Sequence, residues 1–205
     1  MKFSASAVTL LSAAAGVMAA PSTQKASSTV ATRDSHRGGF AGFVLPNLIK
    51  NHDVVSNLNT KDVQTATVRN GHAETSTLYQ IPIPEWLDGK ICSLVVSAGR
   101  IGKGDNVLGE QAMDIFNNNI ADLGALESGN FRNNQLARIR FNAATGLYDF
   151  DNVDFNAIID EFPCPAGRTL EWESVAVGEF DINVIRQDFV DPGFGFPNGL
   201  SVAFK

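Results

Sequence analysis

Two cysteines, a string of acids and three aromatic rings near turns are the parts of this sequence whose types and spacing could do chemistry. Cys92 and Cys164 are the only cysteines. Neither has a second cysteine or a histidine at metal-ligand spacing, so in an oxidising compartment the pair is expected to form one disulfide. The string Tyr148-Asp149-Phe150-Asp151-Asn152-Val153-Asp154-Phe155 puts Asp149 and Asp151 on one face if it is extended. With Asp154 these form a candidate weak calcium site, since calcium is held by carboxylate and carbonyl oxygens. The string lacks the central Gly and closing Glu of a calcium loop, and the competing expectation is a solvated acidic edge that discourages edge-to-edge pairing. Phe194 and Phe196 lie in the Gly/Pro-rich segment Asp191 to Gly199, where tight turns can aim rings outward as sugar-stacking platforms; Trp86, before the Asp88-Gly89 turn, is a third such ring. The competing expectation for all three is that they cap the end of a core.

No catalytic set emerges, and no cofactor is expected beyond that weak calcium possibility. His36, His52 and His72 are scattered beside polar segments, where exposure is expected, and no Gly-x-Ser-x-Gly elbow accompanies them. Gly99-Arg100-Ile101-Gly102-Lys103-Gly104 follows an apolar run but has neither the dinucleotide-binding nor the P-loop spacing. A carboxylate pair could hydrolyse glycosides, yet 22 acids offer no pair that spacing singles out.

The elements that must position these groups read as follows. Met1-Lys2, then an apolar Ala-rich run to Ala20, then Pro21, form a secretory signal over residues 1–20. Residues 21–39 are Ser/Thr-rich without a hydrophobic period and read as a flexible arm. Residues 40–205 read as one domain. The whole chain carries a net charge of -6, concentrated beyond residue 50, and an acidic body repels phosphate backbones, so nucleic acid is not an expected partner. No second apolar stretch reaches membrane length, and no Asn-x-Ser/Thr sequon is present.

Short runs with period two or continuous β-branched content predict strands over 40–45, 63–68, 75–81, 91–97, 137–141, 156–162, 169–177, 180–186 and 200–204. In Leu170-Glu171-Trp172-Glu173 the acids are expected to face outward. One short helix is expected between Leu108 and Asn117, from the spacing of Glu110, Ala112, Met113 and Phe116. The expected fold is mainly β, an antiparallel β-sandwich with at most one or two short helices.

Three strings resemble a known family together: Pro84-x-x-x-x-Gly89-Lys90-x-Cys92-x-Leu94-Val95, then Phe162-x-Cys164-Pro165-Ala166-Gly167 with Glu171 or Glu173 beyond it, and Asn198-Gly199-Leu200-x-Val202. They resemble the opening, middle and closing blocks of the ubiquitin-three-binding (But-two) C-terminal domain, a family found mostly in secreted fungal proteins. The resemblance spans residues 75–205 and implies a β-sandwich in an extracellular or cell-wall setting. It brings no catalytic residues. Family members often carry a further cysteine near the C-terminus, where this chain has Phe204-Lys205.

The expected function is that of a non-enzymatic secreted protein, extracellular or cell-wall-associated, binding wall polysaccharide or a host or other extracellular protein. The alternatives are a carbohydrate-active hydrolase using paired carboxylates, and a purely structural wall component. Cleavage is expected after Ala19 or after Ala20, the former keeping Pro21 away from the scissile bond, so N-terminal sequencing of the exported protein should begin at Ala20 or Pro21; an unprocessed Met1 would contradict the signal.

Overall fold

The computed structural model describes residues 30–32, 39–71, 73–99, 104–109, 112–151, 156–178, 183–187 and 195–205. The described strands are, in chain order, β1 (Val30–Thr32), β2 (Gly42–Val44), β3 (Leu48–Asp53), β4 (Leu58–Asn59), β5 (Thr65–Val68), β6 (Thr75–Pro82), β7 (Ile91–Ser97) and β8 (Asn106–Val107). They continue with β9 (Ala112–Asn118), β10 (Arg132–Asn142), β11 (Leu147–Phe150), β12 (Phe162–Pro163), β13 (Thr169–Val177), β14 (Asn183–Arg186) and β15 (Gly199–Phe204). A single 3-10 turn, Glu85–Leu87, is the helical element among the described residues.

The fold is an antiparallel β-sandwich made largely by one long sheet. Its strand order is β1-β2-β15-β7-β11-β10-β9-β13-β6-β3-β4, with β12 paired to β7, and a second sheet runs β5-β14-β8. Val44, Leu94 and Val202, from one end of the long order, share a core cluster with Ile49, Ile81 and Trp172 from the other. The sheet therefore curls over and buries its inner face against itself. Ala66, Val68 and Ile185 of the smaller sheet join the same cluster. Alternation sets which residues point inward: Tyr79, Ile81, Ile115 and Trp172 face the core, and Gln80, Leu78, Phe116, Glu171 and Glu173 lie on the opposite face.

Turn chemistry delivers the strands to their places. Gly89 takes a φ of 73° just before β7, and Gly167, also at 73°, turns the chain into β13, a conformation that costs glycine little. Cys92 and Cys164 are disulfide-bonded with Cα atoms 4.9 Å apart, and Phe162 of β12 pairs with Cys92 of β7.

Several elements differ from the sequence expectation. Where a helix is expected between Leu108 and Asn117, the described residues from Ala112 on form β9: Met113 and Ile115 are buried, and Asp114 between them meets Arg138 of β10. Apolar residues near a buried acid gave that stretch a helical spacing, and strand pairing overrode it. The expected strand over 156–162 reduces to Phe162–Pro163, the preceding residues forming bends. β3 and β11 add strands where none is expected, and β1 lies inside the stretch read as an arm, its Val30 paired with Val44. Residues 1–29 lie outside the described residues, as do His36 and His72.

The disulfide spans 72 residues, for which chain entropy gives about 4 kcal/mol of stabilisation. Cys92→Ala with Cys164→Ala is expected to lower the free energy of urea unfolding by that order; an unchanged midpoint would contradict it.

Candidate functional site

The outer face of β3, β6, β13, β9 and β10 carries polar side chains, and the segment 119–131, between β9 and β10, crosses over it. Lys50 of β3 is buried beneath this segment and donates from Nζ to the carbonyl oxygens of Gly124 (2.9 Å) and Leu126 (3.0 Å). Asn59 of β4 donates through Nδ2 to the Gly129 carbonyl (2.9 Å). His52 Nδ1 lies 2.7 Å from Asn59 Oδ1, and since that oxygen only accepts, the proton sits on Nδ1. His52, expected to be exposed, is thus a buried strand residue whose ring holds Asn59 toward the crossing segment.

At the centre of this face lies Glu173, whose side chain is 0% exposed. The expectation that the β13 acids face solvent fails here. Alternation turned Glu173 away from Trp172 correctly, but the crossing segment closes over that face as well. Arg132 answers the buried charge with two hydrogen bonds, Nε to Oε2 (2.9 Å) and Nη2 to Oε1 (2.8 Å). Its guanidinium also stacks 4.9 Å from the Phe116 ring centroid. Asn130 Nδ2 donates to Oε1 (3.0 Å) and Asn118 Nδ2 to Oε2 (3.3 Å). Burial alone would push the Glu173 carboxyl up, but Arg132 and its neighbours outweigh that and hold it below the ordinary carboxylate value. The adjacent Ser76 hydroxyl acts in the same direction, though its position falls short of a hydrogen bond.

Glu173 therefore grips the residues on both sides of Phe131, Asn130 and Arg132. Phe131 itself has a φ of 48° and is 57% exposed. A left-handed backbone at a bulky residue costs about 1–3 kcal/mol and persists only where its surroundings impose it. Gly129 lies directly beneath: a Cβ added there would stand 3.4 Å from the Phe131 ring. β10 then bulges twice, with register shifts between Arg132 and Gln135 and between Gln135 and Ala137, which re-aims the side chains that follow. Asn119, whose backbone amide donates to the Phe131 carbonyl (3.0 Å), is exposed, as are Asn133 and Asn134. Asn133 Nδ2 donates to Asn119 Oδ1 (3.3 Å), and Asn134 N–H to Asn117 Oδ1 (2.7 Å). The result is an exposed aromatic ring flanked along the chain and across the β9–β10 pair by amide side chains.

A different environment surrounds Glu171, two residues before Glu173 on the same face. Gln80 Nε2 donates to its Oε1 (3.0 Å). Burial, with added repulsion from Asp122 and against the Gln80 hydrogen bond, pushes its carboxyl from 4.5 up to about 7.

Of the rings singled out in the sequence, Trp86 is 57% exposed, in the 3-10 turn, with its edge against Phe204 (centroids 5.2 Å apart). Phe196 is only 9% exposed and packs edge-on to Phe43 at 5.7 Å, so it caps the core and offers no stacking platform. Phe194 lies outside the described residues. Asp149 accepts from Asn142 Nδ2 (2.8 Å), and Asp151 pairs with Arg140 (3.3 Å) in one open concavity. Asp154 is outside the described residues, so those three acids are not brought together as a described calcium site. Among the described residues no three His, Cys, Asp or Glu side chains converge as ligands, and no helix is long and apolar enough to cross a membrane. A cleft of about 360 Å³ between Leu45–Ile49, Asp62–Gln64 and Arg186–Gln187 has an apolar floor and no aromatic ring.

Sequence reasoning missed Phe131. The available signal was its amide-rich flanks, Asn117-Asn118-Asn119 and Asn133-Asn134-Gln135; the bulges and the burial of Glu173 leave no local mark. No protein-family model, curated protein or solved structure matches the chain.

Two outcomes follow from this electrostatics. Arg132→Met strands a fully buried carboxylate and is expected to cost about 3–5 kcal/mol. Glu173→Gln should cost less, because the Arg132 side chain is 31% exposed and can reach water; the reverse order in urea midpoints would contradict the buried-charge account. Because the folded-state pKa of Glu171 is raised, its favourable contribution is complete below about pH 4.5 and is lost as pH rises through about 7. Melting temperature should fall across that window, and Glu171→Gln should flatten the fall.

Proposed function

We propose that this chain is a non-enzymatic secreted protein, extracellular or cell-wall-associated, that binds carbohydrate through Phe131 and its surrounding amides. The single observation that carries this is an exposed ring on a strained backbone. Phe131 stays 57% exposed on a left-handed backbone, yet the buried Glu173 carboxylate holds both of its neighbours, Arg132 by an ion pair and Asn130 by a hydrogen bond. An external contact accounts for that arrangement. Sugar rings present C–H faces that stack on aromatic rings, and their hydroxyls both donate and accept, as the side chains of Asn119, Asn130 and Asn133 do.

Trp86 supports the same surface. The antiparallel register puts the starts of β7, β10 and β13 at one end of the sandwich. Phe131 directly precedes β10, and Trp86 packs on the last residue of β15, which pairs with the start of β7. The export signal, the disulfide-compatible compartment and the resemblance to the secreted fungal domain family favour a wall polysaccharide as the ligand. Glu173, with no exposure and both oxygens engaged, is not placed to reach a glycosidic bond, which favours binding over the hydrolase alternative.

Purified protein should be retained on one of insoluble chitin, β-glucan or cellulose. Phe131→Ala should weaken that retention by about tenfold or more while leaving the melting temperature unchanged or raised. Equal retention of Phe131→Ala and wild type would overturn the platform, and no retention on any polymer would redirect the surface to a protein partner.

A further inference from the structure

Three buried side-chain polar atoms have no hydrogen-bond partner among the described residues: Ser76 Oγ, Asn118 Oδ1 and Glu171 Oε2. All three lie on the outer face beneath or beside the crossing segment. The β13–β9 ladder pairs Glu173 with Phe116 and Trp172 with Asn117, and its next step brings Glu171 alongside Asn118. Asn118 is 7% exposed. Its Nδ2 is committed to Asn130 O and Glu173 Oε2, which leaves Oδ1 without a donor. Two buried oxygens without a donor thus belong to neighbouring positions of one sheet face, and leaving both unmet is costly. Asp122, just beyond β9, uses Oδ1 to cap the amides of Gly124 and Ala125, and its charge is felt at Glu171.

We infer that Glu171, Asn118 and Asp122 form a divalent-cation site of the calcium type, at the point where the crossing segment leaves β9. The donor set is all oxygen, two carboxylates and an amide carbonyl, which suits a hard cation and not zinc or copper. Asp122 is exposed and Glu171 half-buried, so water completes the coordination shell. The cation satisfies both orphan acceptors and cancels the repulsion between the two acids. The charged groups around the site leave room for it: Lys50 is spent on the Gly124 and Leu126 carbonyls, and Arg132 on Glu173. The site is distinct from Asp149 and Asp151, and it goes beyond carbohydrate binding, since calcium is measured with no glycan present.

The test is calorimetric titration of calcium chloride into the intact, disulfide-bonded protein above pH 7, with melting temperature followed in parallel. One site is expected, with a dissociation constant on the order of 0.1–1 mM, as for extracellular calcium modules, and a calcium-dependent rise in melting temperature. Glu171→Gln, which keeps the hydrogen bond from Gln80, and Asn118→Ala should each weaken binding by about tenfold or more, while Asp149→Asn should not. Absence of heat and of a thermal shift at millimolar calcium in the wild-type protein would overturn the site whether or not the variants fold. So would binding that survives Glu171→Gln and is lost in Asp149→Asn.

Discussion

The structure turns on the Glu173 carboxylate, which sits where no water reaches it. A charge in that position must be met by opposite charge and by hydrogen bonds, or the fold loses a large part of a domain's margin of stability. Arg132, Asn130 and Asn118 meet it, and they come from β10, the crossing segment and β9. One carboxylate thereby ties three consecutive pieces of chain to β13. A hydrophobic replacement of similar volume could hold β13 in place as well, since buried ion pairs are weak sources of stability. What the ion pair adds is direction: it sets where the residue between its two ligands must point.

That direction explains why β13 is buried on both faces. Its inner face, with Trp172, belongs to the core; its outer face is roofed by 119–131, pinned by Lys50 and Asn59. A sandwich normally leaves its outer faces wet. Here one outer face is converted into a second, polar interior, and both described non-glycine residues with positive φ, Asn57 and Phe131, stand at its rim. The Gly129 amide donates to the Asn57 carbonyl, so the two strained positions brace one another.

Much of the strand framework was legible because period-two alternation and glycine turns are local. β7 and β13 coincide with their expected spans, and β6 and β15 come within a residue. The pairing of the only two cysteines was legible from count alone. β9 was not, because both of its faces are covered and its alternation is hidden by Asp114, whose charge is neutralised by an arginine on the next strand. Phe131 was illegible for a related reason: what holds both of its neighbours in place is Glu173, which lies 42 positions away. Phe196 shows the converse. Glycine and proline around it promise an outward ring, and Phe43, far earlier in the chain, draws it inward.

The disulfide has a bearing on how this molecule would fare among proteases. Everything from Cys92 to Cys164 lies inside one covalent ring, including β9, β10, the crossing segment and Phe131. A single backbone cut within that ring opens a loop but releases no fragment, and the sheet neighbours on either side continue to hold the new ends. A nicked molecule would keep its mass until reduced and would keep the Glu173 clamp that presents Phe131. The exposed Phe131 ring thus lies on a segment whose loss requires two cuts instead of one.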